Sequence, residues 1–387
     1  METDFYARLG VRTPINCATT YTRLGGSVMP RRVAQAMADA APYFVNIWEL
    51  QDAIGKRLAA LTNNEAAYVS NGAAAGLALA TAACMTGDDL GLMARLPLQT
   101  DGMKNEVVVH RVQRNWYDIA IRQVGATIVE IGHSLETQAW ELDAAINERT
   151  AAVFYFAGSH LNRNTLPLPF VVEHAHARGV PVIVDAAAQL PPVSNLWKFT
   201  RDDGADAVIF SGGKGLRGPQ NSGLVLGSEK IIQAITLNGP PHQRIGRSLK
   251  MSKEAMIGLL TAVELWLETD FDAEALVYSE TVDRWLGSWQ HIAESDFAVY
   301  RLEFNEAGEQ IPRVILEVQP GTGCDRDTLV RKLRDGNPSI EVVLHDDRSI
   351  AFSPHLLQPG EAEAVERRVL ELLSSSASRG GRDLTSI

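Results

Sequence analysis

The chain has 387 residues, 45% of them hydrophobic, and carries a formal net charge of −11 at pH 7. This length favours one large and one smaller domain over a single unit. The negative charge argues against nucleic acid and against an anionic membrane surface as partners, because both bind cationic proteins.

The first predicted elements lead to a tight turn. Pro30 is well placed as the first residue of a helix that runs to Ala40. A repeating apolar face predicts a second helix over Ile47–Leu61. The strand Ala66–Val69 follows, and it ends at the turn Ser70-Asn71-Gly72.

That turn suits a phosphate group. Ala73 begins a helix of small residues, so backbone N–H groups at the helix start are left for a phosphate dianion. Ordinary close packing of the helix on a sheet would favour the same alanines. Gly72-Ala-Ala-Ala-Gly76 also resembles a dinucleotide turn, which would make the chain a nucleotide-binding α/β protein. The turn lacks the Gly-x-Gly-x-x-Gly form and the chain contains no Tyr-x-x-x-Lys, so we favour the phosphate of a smaller cofactor.

Strands and helices then alternate, which predicts a mostly parallel sheet covered by helices on both faces. The predicted strands are Val107–His110, Thr127–Ile131, Ala151–Phe156, Val180–Asp185, Ala207–Phe210 and Leu224–Leu226. The predicted helices are Asn115–Val124, Leu142–Asn147, Pro169–Arg178, Glu229–Leu237 and Lys253–Glu268. Farther on, the pattern changes to the strands Arg313–Val318 and Glu341–Leu344 and the helix Glu361–Leu373.

These elements predict the domain organisation. Residues 1–45 form an N-terminal segment that packs with the small domain, and residues 46–278 form a large cofactor-binding α/β domain. Residues 279–373 form a smaller α+β C-terminal domain. Residues 374–387 are rich in serine, glycine and arginine, so we expect a disordered tail there.

The stretch after Ala207–Phe210 surrounds one lysine, Lys214, with glycines that let the backbone come close to a ligand. An amine at the carboxyl end of a buried strand loses hydration, which favours the neutral nucleophile that a Schiff base requires. The plain alternative is a solvated lysine in a glycine-rich turn. A phosphate-binding loop does not fit, because Gly215 stands where that motif needs serine or threonine.

Asp185 ends the preceding predicted strand. Open α/β sheets bind ligands at the carboxyl ends of their strands, so Asp185 and Lys214 could reach opposite ends of one flat cofactor. A carboxylate against the pyridine nitrogen of pyridoxal 5′-phosphate (PLP) keeps that nitrogen protonated and makes the ring an electron sink. The alternative is a carboxylate that caps a helix or turn. Together the two residues predict PLP as the cofactor.

The cysteines and the amino terminus indicate the compartment. Cys17, Cys84 and Cys324 are odd in number and far apart, so we expect free thiols, no disulfide framework and no metal site. The amino terminus lacks a basic flank and an apolar signal core, and no apolar run reaches membrane-spanning length. We therefore expect a cytoplasmic protein.

With these residues placed, the chain resembles the fold-type I PLP-dependent enzymes. It is similar to the branch that contains selenocysteine synthase (L-seryl-tRNA selenium transferase) and D-glucosaminate-6-phosphate ammonia lyase. The matching motifs are specific for the branch rather than for one reaction. They are Leu24-Gly-Gly-Ser-Val-Met-Pro30, Ser70-Asn-Gly-Ala-Ala-Ala75, Arg114-Asn115 with Tyr117-Asp118, Val184-Asp-Ala-Ala-Ala-Gln-Leu-Pro-Pro192, Phe210-Ser-Gly-Gly-Lys-Gly-Leu-Arg-Gly-Pro219 and Leu357-Gln-Pro-Gly-Glu361.

The resemblance implies a role for each residue of the predicted cofactor site. Lys214 carries the aldimine and Asp185 faces the pyridinium nitrogen. Gln189 contacts the ring hydroxyl. The phosphate is bound by Ser211 and by the turn residues Asn71, Gly72 and Ala73.

A residue at the end of the strand that precedes the predicted helix Asn115–Val124 would cover the ring face. The candidates are His110 and Gln113, although His110 could also be only a polar strand terminus. The chain departs from the branch at two positions, since glycine is usual where Thr20 stands and histidine where Gln113 stands. Both positions are expected near the ring and the substrate, so the substrate is open.

Family members are dimers or higher oligomers with active sites at the subunit boundary, so the resemblance implies a homodimer or a higher homo-oligomer. Arg247 or Lys250 would then reach the site of a partner subunit, and a solvated surface loop is the alternative. Asn16, Arg23 and Arg348 are candidates for holding a substrate carboxylate or phosphate, because guanidinium groups bind both in a bidentate manner.

The resemblance and the residues together predict a PLP-dependent lyase that acts on an amino acid or an amino sugar acid. Lys214 would remove the α-proton, a β-substituent would leave, and ammonia and a keto acid would be released. The alternatives are a β-replacement transferase of the selenium-transferring kind, a racemase, an aldolase and an aminotransferase, which share the carbanion chemistry. The predicted partner is a small amino substrate, with neither nucleic acid nor membrane.

Overall fold

The computed structural model describes residues 5–158, 160–293, 296–305, 307–320 and 324–377. It divides into two compact units, one of Ser27–Thr269 and the other of Met1–Gly26 with Asp270–Ile387. The unit boundaries thus follow residues 26 and 269, and the division into residues 1–45, 46–278 and 279–373 stays a prediction. Within the described residues, no helix is long and apolar enough to cross a lipid bilayer.

The described strands are numbered in chain order. They are β1 (Ile15–Cys17), β2 (Ala66–Ser70), β3 (Glu106–His110), β4 (Thr127–Ile131), β5 (Thr150–Phe156), β6 (Val182–Asp185), β7 (Ala207–Ser211), β8 (Gly223–Gly227), β9 (Phe297–Leu302), β10 (Arg313–Val318), β11 (Ile340–Leu344) and β12 (Ser349–Phe352).

The described α-helices are numbered in the same way. They are α1 (Phe5–Arg8), α2 (Arg31–Ala40), α3 (Ile47–Thr62), α4 (Gly72–Thr86), α5 (Leu90–Arg95), α6 (Ile119–Arg122), α7 (Ala139–Ala145), α8 (Leu168–His176), α9 (Asn195–Trp197), α10 (Glu229–Asn238), α11 (Lys253–Leu267), α12 (Phe271–Ala293), α13 (Arg326–Arg334) and α14 (Glu361–Ala377).

In the larger unit, the strands form one sheet in the order β2-β8-β7-β6-β5-β3-β4 among the described residues. The strands from β3 to β7 pair in parallel, and β8 runs antiparallel to both of its neighbours. Every residue of β5 is buried, as expected for a strand covered on both faces. The predicted fold class, a mostly parallel sheet flanked by helices, is confirmed.

Helix α4 lies unusually close to this sheet because its residues are small. A Cβ built on Gly76 would lie 2.9 Å from Ile209 Cγ2 and 3.2 Å from Val225 Cγ2, so only glycine allows this approach. The close packing fixes the first turn of α4 against the ends of the central strands. It thereby sets the position of the candidate phosphate site.

The smaller unit holds a second sheet, in the order β1-β11-β12-β10-β9 among the described residues. Strand β1 pairs in parallel with β11, and the other pairs are antiparallel. Trp285 and Trp289 of α12 stack with their ring centroids 5.4 Å apart, and Trp289 meets Phe352 of β12 at 4.9 Å. These buried rings form the centre of the core of this unit.

Two segments differ from the sequence-based expectation. The predicted helix Asn115–Val124 is α-helical only over Ile119–Arg122, and a 3₁₀ turn, Trp116–Asp118, precedes it. The side chain of Asn115 accepts a hydrogen bond from the Tyr117 N–H at 2.9 Å and so caps the 3₁₀ turn, and the α-helix begins only after that turn. At the other end of the chain, α14 continues to Ala377, into the predicted tail, and residues 378–387 lie outside the described residues.

Candidate active site

The carboxyl ends of the central strands bring the predicted cofactor residues to one edge of the sheet. Asp185 pairs in register with Phe156 of β5 and with Ile209 of β7. Gly223 of β8 lies in register between Ser211 of β7 and Ser70 of β2. An edge of this kind is where open α/β sheets bind ligands.

Asp185 is a buried carboxyl group with few partners. Its Oδ1 accepts a hydrogen bond from the Ala187 N–H at 2.9 Å. Burial raises the pKa of Asp185 above its usual range, and the Ala187 N–H and the charge of Lys214 oppose that rise. A buried carboxylate is costly unless a cation faces it. The group therefore fits the protonated pyridine nitrogen of PLP.

Lys214 lies in the loop that follows β7, with its side chain half-buried. Both the N–H and the hydroxyl of Ser27 donate to the Gly213 carbonyl at 3.0 Å, and the Arg217 N–H donates to the Lys214 carbonyl at 2.9 Å. These bonds hold the backbone on each side of the lysine. Its Nζ lies 6.0 Å from the ring centroid of Tyr117.

The first turn of α4 forms the candidate phosphate site. Gly72 has φ +81°, and no hydrogen bond from the Asn71 side chain caps the helix. Ser70 Oγ instead donates to the Gly72 carbonyl at 2.9 Å. A Cβ on Gly223 would lie 2.5 Å from the Gly72 carbonyl carbon, so glycine is required under the turn. The N–H groups of Gly72 and Ala73 at this helix start suit the phosphate of PLP.

His110 is fully buried at the end of β3. Its Nε2 accepts a hydrogen bond from the Leu166 N–H at 3.2 Å, and its ring meets Tyr155 edge-on at 5.8 Å. Burial lowers the pKa of His110 to about 4, against weaker opposing effects of the Gln113 side chain and of the Glu141 charge, so the ring is neutral at neutral pH.

Gln113 is also fully buried. Its Oε1 accepts a hydrogen bond from the Phe156 N–H at 3.1 Å, and its Nε2 donates to Asn162 Oδ1 at 3.4 Å. The Gln113 amide thus ties the segment after β3 to the end of β5, next to the strand that carries Asp185.

Gln189 lies half-buried in the segment after β6. Its Nε2 donates to the Ala188 carbonyl at 3.0 Å, and a Cβ on Gly158 would lie 3.6 Å from that nitrogen. The side chain is therefore beside the end of β5, in the row of strand ends that includes Asp185.

The predicted partner-subunit residues lie in a basic segment after α10. Arg247 belongs to the 3₁₀ turn Ile245–Leu249, and Lys250 follows it. Arg247 and Arg244 line an open cavity of about 660 Å³ together with apolar side chains of Met93 and Leu96.

Asn16, Arg23 and Arg348 all lie in the smaller unit. Asn16 is occupied in its own turn, where Oδ1 accepts from the Ala18 N–H at 2.9 Å and Nδ2 donates to the Thr19 carbonyl at 3.2 Å. The two arginines have carboxylate partners. Arg23 pairs with Glu341 at 2.8 Å and Arg348 with Glu317 at 2.9 Å, so a substrate anion would have to compete with them.

The fold and this site define the class of the protein: it is a fold-type I PLP-dependent enzyme. The family model for L-seryl-tRNA selenium transferase matches residues 15–285, and the chain belongs to that family. This membership confirms the predicted branch, the predicted PLP cofactor and the predicted enzyme class, a PLP-dependent lyase or transferase. It also sets aside the alternative of a nucleotide-binding protein.

Several known proteins are similar along the chain. D-glucosaminate-6-phosphate ammonia lyase of Salmonella typhimurium is 33% identical over 389 residues, which is 97% of this chain and 100% of that protein. A 5′-C-glycyluridine monooxygenase-decarboxylase of Streptomyces is 34% identical over 379 residues, 95% and 92% of the two chains. The L-seryl-tRNA(Sec) selenium transferase of Desulfovibrio desulfuricans is 26% identical over 300 residues, 68% of this chain and 58% of that one.

The solved structures agree with these relatives. The structure of D-glucosaminate-6-phosphate ammonia-lyase superposes with a TM-score of 0.83 at 31% identity, covering 97% of this chain and 100% of that one. Serine palmitoyltransferase of Sphingomonas wittichii superposes with a TM-score of 0.59 at 14% identity, covering 95% and 88%, and this likeness concerns the fold alone.

Proposed function

We propose that the protein is a lyase that removes a β-substituent from an amino acid or an amino sugar acid and releases ammonia. The observation that carries this proposal is the buried Asp185 carboxyl at the end of β6 with the half-buried Lys214 in the loop after β7, in a chain similar over 97% of its length to an ammonia lyase.

For the cofactor, we propose that the aldehyde end is bound by Lys214 and the ring nitrogen by Asp185. The phosphate end would be held by Ser211 and by the first turn of α4, with Asn71, Gly72 and Ala73. Gln189 is proposed to donate to the ring hydroxyl, because it lies beside the same row of strand ends. When bound, PLP supplies an electron sink for the charge that develops at the substrate Cα.

Lys214 is then the base. With a substrate bound, the Lys214 Nζ would accept the proton from the substrate Cα as the general base. The Cα–H bond breaks, and a β-hydroxyl leaves with that proton as water. The resulting enamine tautomerises, and hydrolysis consumes one water and gives a 2-oxo acid and ammonia. For a β-hydroxy amino acid the net products are therefore one 2-oxo acid and one ammonia.

His110 and Gln113 were predicted from the sequence to cover the ring face, and that role stays a prediction. Their complete burial and their hydrogen bonds to Leu166 and Phe156 favour a supporting role instead. We propose that they hold the strand ends in the register that the cofactor needs.

For the substrate, we propose that Arg23, Arg348 and Asn16 bind a carboxylate or phosphate group. Arg247 or Lys250 would reach the site of a partner subunit in a homodimer or a higher homo-oligomer. A large exposed apolar segment supports self-association, because Phe44 is fully exposed and Tyr43 is 67% exposed. The three free cysteines support work in the reducing cytoplasm.

A second candidate is an oxygen-dependent decarboxylation, because the Streptomyces monooxygenase-decarboxylase is 34% identical over 95% of this chain. The two functions differ in stoichiometry. Purified protein with PLP is incubated with a panel of β-hydroxy amino acids and amino sugar acids, and ammonia, 2-oxo acid and oxygen are measured. We expect equal amounts of ammonia and 2-oxo acid without oxygen uptake. Oxygen uptake with carbon dioxide release would contradict the lyase and favour the second candidate.

A further inference from the structure

Tyr117 is an aromatic side chain of the site to which the sequence assigned no role. It lies between β3 and α6, and the Nζ of Lys214 is 6.0 Å from its ring centroid. At that distance an ammonium group is attracted to the electron-rich face of the ring. The side chain is 63% exposed, so its ring is not part of the core and is open to a ligand.

The backbone on both sides of Tyr117 is fixed. Asn115 Oδ1 accepts from the Tyr117 N–H at 2.9 Å. The buried carboxylate of Asp118 binds Arg114 at 2.6 Å and Arg122 at 3.2 Å. Arg114 also pairs with Glu130 of β4. An exposed tyrosine on such a braced turn keeps its place relative to Lys214, which a tyrosine on a loose loop would not.

The other side chains near the strand ends do not offer Lys214 an exposed aromatic face. His110 and Gln113 are fully buried and bonded to the backbone of Leu166 and Phe156. Neither therefore offers an open face comparable with that of Tyr117. The nearby Trp116 is 95% exposed, and among the described residues its ring makes no cation–π contact with Lys214.

We propose that Tyr117 is a positioning residue of the cofactor site. Its ring forms the wall that faces Lys214 and keeps the lysine side chain directed into the cofactor site, which lowers the cost of ordering that side chain when PLP binds. The ring, not the hydroxyl, carries this role, because the attraction depends on the aromatic face. The inference rests on the proposed attachment of PLP to Lys214.

The test compares Tyr117→Leu, which removes the ring, with Tyr117→Phe, which keeps it, and with Trp116→Leu as the matched control on the neighbouring residue. Each apoprotein is prepared with hydroxylamine and titrated with PLP. The dissociation constant is read from the imine absorbance, and the fraction of Lys214 trapped by borohydride from peptide masses. Thermal unfolding of the apoproteins checks the fold, and we expect no change because Tyr117 is exposed.

We expect Tyr117→Leu to weaken PLP binding about three- to tenfold and to slow imine formation. The PLP dissociation constants of Tyr117→Phe and Trp116→Leu should stay within about twofold of the wild-type value, since both variants keep an aromatic ring at position 117. Equal binding by Tyr117→Leu and the wild type would overturn the inference, and so would an equal loss in Tyr117→Phe or in Trp116→Leu. A wild-type protein without trapped cofactor would overturn the proposed function itself, and the inference with it.

Discussion

Replacing Asp185 with asparagine should stabilise the apoprotein and impair the holoenzyme. The carboxyl group is buried and its pKa is raised, chiefly by burial, so its charge works against the fold when no cation faces it. The Ala187 N–H donates a hydrogen bond to the Asp185 carboxylate, and an asparagine oxygen can accept the same bond. The substitution keeps the shape and removes the charge.

The magnitude follows from the cost of one poorly compensated buried charge. That cost is about 1–3 kcal/mol, which corresponds to a rise in Tm of about 2–6 °C for a unit of this size. With PLP bound, the substitution should be harmful instead, because the variant cannot hold the ring nitrogen in its protonated form. Loss of such charge stabilisation lowers turnover by at least about 100-fold.

The pH dependence has a defined sign. The pKa of Asp185 is higher in the folded apoprotein than in the unfolded chain, so the folded state binds the proton more tightly. The contribution of Asp185 to stability is therefore fully present below the unfolded pKa of about 4 and is lost as the pH rises through the raised pKa. The stability of apo Asp185→Asn should not show this loss as the pH rises.

The assays are thermal unfolding of the apoprotein and holoenzyme between pH 4 and 8, and ammonia release by the holoenzyme from the substrate panel. Asp206→Asn is the matched control, because Asp206 accepts hydrogen bonds from His176 and from the Val182 N–H at 2.8 Å each. That variant should lose stability and keep its PLP affinity. A lower Tm of apo Asp185→Asn than of the wild type, or unchanged turnover, would refute the reasoning.

Two further predictions concern the frame of the site. Gly223→Ala should weaken PLP binding by at least about tenfold, because its Cβ would lie 2.5 Å from the Gly72 carbonyl carbon and displace the phosphate turn. The control, Gly227→Ala on the same strand, should lower stability and leave the PLP affinity unchanged in the same titration. Equal PLP affinities of the wild type and both variants would contradict this account. His110, whose pKa is lowered to about 4 by burial, contributes stability that is present above its unfolded pKa of about 6.5 and lost as the pH falls through 4. Urea unfolding should therefore show that the free energy of unfolding falls by up to about 3 kcal/mol as the pH is lowered over that range. His110→Gln should make this pH dependence flatter. An equally steep pH dependence in the variant would rule His110 out as the cause.

The sequence predicted the parts of the site that depend on local pattern. Apolar runs that end in a polar residue mark β6 and β7, and their ends carry Asp185 and the Lys214 loop. The Ser-Asn-Gly turn before a helix of alanines marks the start of α4. These features are written into neighbouring residues, so one sequence suffices to find them.

The sequence could not predict features that depend on distant contacts. The segment before α6 has a helical pattern, but Asn115 caps a 3₁₀ turn there, and Asp118 is bound by Arg114 and Arg122. The approach of Tyr117 to Lys214 joins residues almost a hundred positions apart. Likewise, the pairing of Arg23 with Glu341 is invisible until β1 lies beside β11.

The central claim is that one lysine bonds the cofactor, and reductive trapping tests it most directly. The purified protein is incubated with PLP, reduced with borohydride, digested and measured by peptide mass. We predict the mass of one pyridoxyl phosphate group on the peptide that contains Lys214, and no such mass in Lys214→Ala. An unmodified Lys214 peptide, or modification of a different lysine, would contradict the account.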